Sequence, residues 1–216
     1  MKTSKAREQI LGRIRKGLSN GSLSIPFPEV EKDSISSYFE TSSLSNEELF
    51  ATEFIKLGGK FMFCDTEQDF HEDLLTLCDN MGWKEVFCSD ERLLEGLRNP
   101  NFDFIKPLDP SNTTADACIT DCELLVARTG STLITSNQQY GRIAPVYYPV
   151  HIIVAYMSQV VYDLPEALAF LHKKYGMQLP SMINLNTGPS RTADIEKTLV
   201  VGVHGPGEVY CFLINK

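Results

Sequence analysis

The sequence predicts an α/β fold, a mostly parallel sheet with flanking helices, preceded by an N-terminal helical arm. Three observations predict it. Short apolar runs alternate with helical stripes over residues 61–97, and long apolar runs recur at 150–156 and 209–214. Between them, two apolar runs flank Thr129-Gly130 as strands flank a turn. Strand, helix and strand joined by tight connections call for a parallel sheet covered on its faces, and the paired runs add an antiparallel excursion.

The arm comes first. Ala6, Ile10, Ile14 and Leu18, with Leu11 beside them, fall on one helical face opposite a basic one. The stripe carries no Trp or Phe, so it suits packing on an acidic body or a partner better than a membrane surface. Residues 19–45, rich in Ser and holding Pro26 and Pro28, read as an extended connection. Residues 1–45 are therefore arm and linker, and 46–216 the α/β domain.

In the domain, Ser45 and Glu48 form a capping-box signature ahead of Phe50, Phe54 and Leu57, and Gly58 supplies the stop. Residues 61–64 form a strand. Phe70, Leu74, Leu77 and Met81 form a helical stripe, 85–88 a second strand and 89–97 a short helix. Residues 124–126 and 132–134 are the paired strands, and 150–156 a fully buried one. Asp163, with Glu166 three positions on, caps a helix whose core face is Leu164, Leu168, Leu171 and Tyr175. Residues 182–185, 198–203 and 209–214 read as further core strands.

Charge and cysteine usage exclude several functions. The net charge is −8 and the pI about 5.0, the opposite of the basic footprint that nucleic-acid binding needs. Six basic residues against Glu8 give residues 1–18 a charge of +5, so the remainder carries −13. No stretch has the ~20 apolar residues of a membrane span. The six cysteines contain no C-x-x-C, so no metal or iron–sulfur framework is expected, and they read as buried free thiols of a cytoplasmic protein. The sequons at Asn20 and Asn112 are then chance matches. G-x-S-x-G and Walker motifs are absent, and His71-Glu72 lacks the second His of a zinc protease.

Chemistry concentrates in 186–196. Ser190 or Thr192 can cap a short helix, and helix-start amides, hydroxyls and the Arg191 fork suit a carboxylate or phosphate at the carboxyl end of a strand. The alternative is a capped loop in which Arg191 pairs with Asp194 or Glu196. Gly202 to Gly207 reads as a tight turn bringing His204 near that loop. Gly188, Ser190, Arg191 and Thr192 form the candidate anion site, joined by Thr129, Gly130 and Arg142 from other polar breaks. His204, His151, Asp194 and Glu196 are the candidate acid–base groups.

Residues 187–196 (TGPSRTADIE) and 199–206 (LVVGVHGP) resemble the signature of the lactate-utilisation (LUD) domain family, in particular its protein C type. The resemblance extends through 149–152, Thr129-Gly130 and 116–120 to the arm. It implies a fold like the sugar-phosphate isomerases and CoA transferases, with a cleft at strand ends. It also implies a role in oxidising L-lactate to pyruvate, with the iron–sulfur chemistry in other chains. Arg128 departs from the family, which commonly has Glu before Thr-Gly.

The leading expectation is a cytoplasmic subunit without a cofactor of its own. It would bind a small anion such as lactate or pyruvate and work with iron–sulfur partner proteins, without nucleic acid or a membrane span. One alternative is a stand-alone enzyme on a sugar phosphate or CoA ester. Another is a non-catalytic binding or regulatory module that docks through its basic arm.

Overall fold

The structure, a computed structural model, describes residues 5–19, 42–98, 100–193 and 199–216. The chain divides into two units, Met1–Thr41 and Ser42–Lys216. In the first, α1 (Lys5–Ser19) is the arm helix, and none of its side chains is buried. The extended connection expected over 19–45 lies, from 20 to 41, outside the described residues, as does the Asn20 sequon.

The second unit opens with α2 (Asn46–Lys56). Ser45 Oγ accepts from the Glu48 amide while the Glu48 carboxylate accepts from the Ser45 amide. This reciprocal cap is worth about 1 kcal/mol and sets where the helix begins. Next come β1 (Lys60–Cys64), α3 (Glu67–Met81), β2 (Val86–Cys88), α4 (Glu91–Gly96), β3 (Ile105–Pro107), β4 (Ala117–Thr120), β5 (Leu124–Val126) and β6 (Ser131–Thr135). The chain continues through α5 (Ala144–Tyr147), β7 (Val150–Tyr156), β8 (Val160–Val161), α6 (Leu164–Tyr175) and β9 (Ile183–Asn186). It ends with β10 (Arg191–Ala193), β11 (Leu199–Val201) and β12 (Glu208–Ile214).

Six strands form one sheet in the order β1-β12-β7-β4-β2-β3, every neighbouring pair parallel. Side chains of β7 and β12 alternate between its faces, as the two-residue period of a strand requires. Ile152, Val154, Phe212 and Ile214 pack with Phe70 and Leu74 of α3. Ile153, Ala155, Cys211 and Leu213 pack with Phe50 and Phe54 of α2 and with Leu125 and Ile134. With both faces covered, no polar face is needed, and so these strands read as nearly unbroken apolar runs.

The antiparallel excursion is a second sheet, β8-β5-β6-β9, in which β6 runs antiparallel to both β5 and β9. Ala167 and Leu171 of α6 cover it, packing with Leu124, Val126 and Leu133. Leu168, expected on that face, is exposed instead; the small Ala167 takes the contact and rotates the apolar stripe by one position.

Two expectations fail at the tip of the chain. The helix anticipated after Ser190 is a β-hairpin, with Arg191 opposite Val201 and Ala193 opposite Leu199. Residues 198–203 are not a core strand, since β11 pairs only with β10 and Val201 and Val203 are exposed. The glycine at 202, at φ +80°, turns the chain so that its amide reaches the Ser190 carbonyl at 3.0 Å, closing the hairpin base.

Candidate functional site

A cavity of about 270 Å³ opens at the amino-terminal ends of β7 and β12. β7 contributes His151 and Ile153, β12 Val209, β6 Thr132 and α2 Phe54. The loop after β9 adds 186–190, and the turn before β12 adds His204, Gly205 and Pro206. The two loops are tied together where the Ser190 amide donates to the Pro206 carbonyl at 2.9 Å. Gly188, at φ +71°, lets the first loop pass α2, because a Cβ there would sit 3.1 Å from the Leu57 carbonyl oxygen.

The sequence places a cleft at the carboxyl ends of the parallel strands, and this cavity lies at the opposite ends. The reason is the second sheet. The carboxyl end of β9, which carries Asn186, meets the amino ends of β7 and β12.

His151 interrupts an otherwise apolar strand. It is 1% exposed, and its Nε2 lies 2.8 Å from Thr120 Oγ1 on β4. Burial drives its pKa down to about 3. The ring is therefore neutral near pH 7 and available for hydrogen bonding, and it is not the proton donor that the sequence suggests. His204 is exposed at the mouth. No Lys or Arg lines the cavity among the described residues.

The wall opposite His151 carries a polar deficit. Thr132 is fully buried, and neither its Oγ1 nor the buried Nδ2 of Asn186 has a hydrogen-bond partner among the described residues. β6 and β9 pair these two residues directly, so both side chains leave one face of the sheet. A buried polar atom left unpaired costs about 1–3 kcal/mol. Beside them, Ser131 Oγ and Thr187 Oγ1 hydrogen-bond at 2.8 Å and brace the loop.

Of the residues singled out from sequence, Gly188, Ser190, His151 and His204 meet at this cavity. Arg191 does not: its guanidinium donates to the Leu57 carbonyl, at the C-cap of α2, where a helix end leaves carbonyls unpaired. Arg142 donates to Ser181 Oγ at 2.7 Å, outside the cavity lining. Thr129-Gly130 turns beneath α2, where a Cβ on Gly130 would lie 2.5 Å from the Phe54 amide nitrogen. These four are corrections, and helix capping or close packing accounts for three of them. Thr192 belongs to the hairpin, and Asp194 and Glu196 lie outside the described residues. Arg128 pairs with Asp163 at 2.8 Å, the N-cap residue of α6.

A second cavity, of about 280 Å³, lies at the carboxyl ends of β2, β4 and β7, lined by Asp90, Arg92, Asp121, Tyr156 and Gln159. Its polar groups are already engaged. Asp90 accepts the Arg92 and Leu93 amides, Gln138 donates to Asp121 at 2.7 Å, and Gln159 links the Tyr156 amide to the Cys122 carbonyl. Burial, reinforced by Asp90, raises the Asp121 pKa. Unpaired donors mark the first cavity as the candidate.

Sequence reasoning does not select Thr132, Asn186, Thr120 or Phe54. A signal exists for Thr132, a polar residue inside an apolar strand run, but nothing local shows that β9 brings Asn186 opposite it.

The LUD domain family pattern matches residues 47–214. A lactate utilization protein C from Geobacillus thermodenitrificans is 38% identical over 94 residues, covering 43% of this chain and 39% of that protein. One from Bacillus subtilis is 34% identical over 103 residues, covering 47% and 43%. The chain thus spans about two fifths of the length of the curated relatives it matches. The crystal structure of a DUF162 family protein from Deinococcus radiodurans has a TM-score of 0.57 at 18% identity, covering 80% of this chain and 99% of that one. That likeness is one of fold, which does not carry function with it.

Proposed function

This chain belongs to the LUD domain family, and from that premise we propose that it serves lactate utilisation by holding a small 2-hydroxy or 2-oxo acid in the cavity at the amino ends of β7 and β12. The observation that carries this reading is the pair of unpaired buried atoms, Thr132 Oγ1 and Asn186 Nδ2. An amide Nδ2 can only donate, so it calls for an acceptor such as a carboxylate or keto oxygen. Thr132 offers a second donor, and neutral His151 a third. The exposed His204 is the lining side chain able to bring positive charge to the mouth. The name of the relatives, lactate utilization protein C, supports the choice of acid. Arg128, which departs from the family pattern, is paired with Asp163 outside the cavity lining, so the exchange of charge does not alter the site.

Electron transfer, in this reading, belongs to separate iron–sulfur chains in the cytoplasm, and this chain carries no cofactor of its own. Its cysteine chemistry supports that. All six thiols are buried, and burial pushes Cys64, Cys78 and Cys88 up to about 12 and Cys118, Cys122 and Cys211 higher still. Cluster ligands must be thiolates, which such sites oppose. Among the described residues no three His, Cys, Asp or Glu side chains gather as metal ligands, and no helix is long and apolar enough to cross a membrane.

Thermal unfolding with ligand tests the site. L-lactate or pyruvate at ~100 times its dissociation constant stabilises the chain by about 2.7 kcal/mol. Thr132→Val and Asn186→Leu remove the shift, whereas Arg191→Ala keeps it. A shift with sugar phosphates or CoA, and none with either acid, would replace this reading with that of a stand-alone enzyme. Purification of the full chain from lactate-grown cells tests the partners: iron–sulfur proteins co-elute, and deletion of residues 1–18 loses them if the arm is the docking element. An eluate without them counts against the assembly.

A further inference from the structure

The cavity is more apolar than a three-carbon acid requires. Phe54, Ile153 and Val209 line it from the core. Val146 and Leu185 also line it, yet keep 38% and 37% of their surface exposed, which places them at the rim. Past Val146, His204 and Gly205 the space continues into an open groove of about 470 Å³, bordered by the exposed Tyr147 and Val203. Lactate and pyruvate offer this surface a single methyl group. With the acid's oxygens held at Thr132 and Asn186, most of the apolar wall would still face water.

We propose that the site's ligand is a 2-hydroxy or 2-oxo acid bearing a branched or aromatic side chain. Its polar head lies at Thr132 and Asn186, and its apolar side chain runs along Val146 and Leu185 toward Tyr147. This rests on the acid-site reading above and narrows it to a substrate class. The cavity's chemistry favours this class over phosphorylated compounds, because no Lys or Arg lines it among the described residues, and a phosphate calls for such cations. Each methylene moved from water onto an apolar wall strengthens binding about fourfold. A longer side chain therefore gains along a wall that the three-carbon acids leave uncovered.

Titration calorimetry on the full chain decides it, with L-lactate, 2-hydroxy-3-methylbutanoate, 2-hydroxy-4-methylpentanoate, 3-phenyllactate and their 2-oxo counterparts. Affinity is expected to rise along the series, with the 4-methyl acid at least ~10-fold tighter than lactate. Replacing the two rim residues, Val146→Asn and Leu185→Asn, should narrow that gap to below about threefold. Because both are partly exposed, the change spares the core. If lactate binds and the larger acids bind equally or more weakly, the proposal is overturned while the acid site stands. If no acid binds, both fall.

Discussion

Thr120 Oγ1 and Nε2 of His151 lie 2.8 Å apart on adjacent parallel strands, inside the sheet and out of reach of water. That pairing holds the imidazole neutral, with its pKa lowered to about 3 by burial. The unfolded chain has an ordinary histidine that titrates near pH 6.5. Between those two values the unfolded state binds a proton that the fold refuses. His151 thus contributes stability that is present above pH ~6.5 and is lost as pH falls, at about 1.4 kcal/mol per pH unit. Urea midpoints measured from pH 7 to 4.5 should fall more steeply for the wild type than for His151→Gln. Parallel curves would show that the ring is not buried neutral.

Gly130 and Gly82 separate backbone strain from crowding. Both have positive φ, +56° and +67°, but a Cβ at Gly82 meets nothing within 4 Å while one at Gly130 meets the Phe54 amide nitrogen at 2.5 Å. Gly82→Ala should cost only the left-handed penalty, about 1–2 kcal/mol. Gly130→Ala adds displacement of α2, about 1–3 kcal/mol more. Equal losses in thermal unfolding would mean that α2 yields freely and that the Thr-Gly turn is not what seats it.

Glu123 joins α6 to the second sheet. Its side chain is almost fully buried and takes hydrogen bonds from Lys174 at 2.6 Å, from Thr135 Oγ1 at 3.0 Å and from the Tyr175 hydroxyl. Glu123→Ala would leave the two hydroxyls unpaired, whereas Lys174, half exposed, can turn to water. The expected loss is about 2–4 kcal/mol, with faster amide hydrogen exchange across 164–175. Unchanged protection of those amides would assign the docking of α6 to Ala167 and Leu171 alone.

Features encoded within a few residues are legible along the chain. The Ser45–Glu48 cap, the stop at Gly58, the Asp163 cap and the apolar strands β7 and β12 are of this kind. β3 is not, since Ile105–Pro107 is three residues long, includes a Lys and a Pro, and exists through its pairing with β2. The hairpin escapes a local reading because hydroxyl residues that can cap a helix serve equally in an extended strand. The register of Arg191 with Val201 makes the choice. The same ambiguity points Arg191 toward a ligand, while its real partner, the Leu57 carbonyl, lies 134 positions away.

By itself the sequence determined the α/β class, the antiparallel excursion, the unpaired cysteines and the loops at 188–190 and 204–206 that border a site. Periodicity, caps and turn residues act over short stretches of chain, so they can be read along it. Only the tertiary structure decided which end of the sheet holds the cavity, that Thr132 faces Asn186, that His151 is neutral, and that the arginines serve helix ends and surface loops. Each of those depends on burial or on pairing between distant residues, and so on packing that no local pattern records.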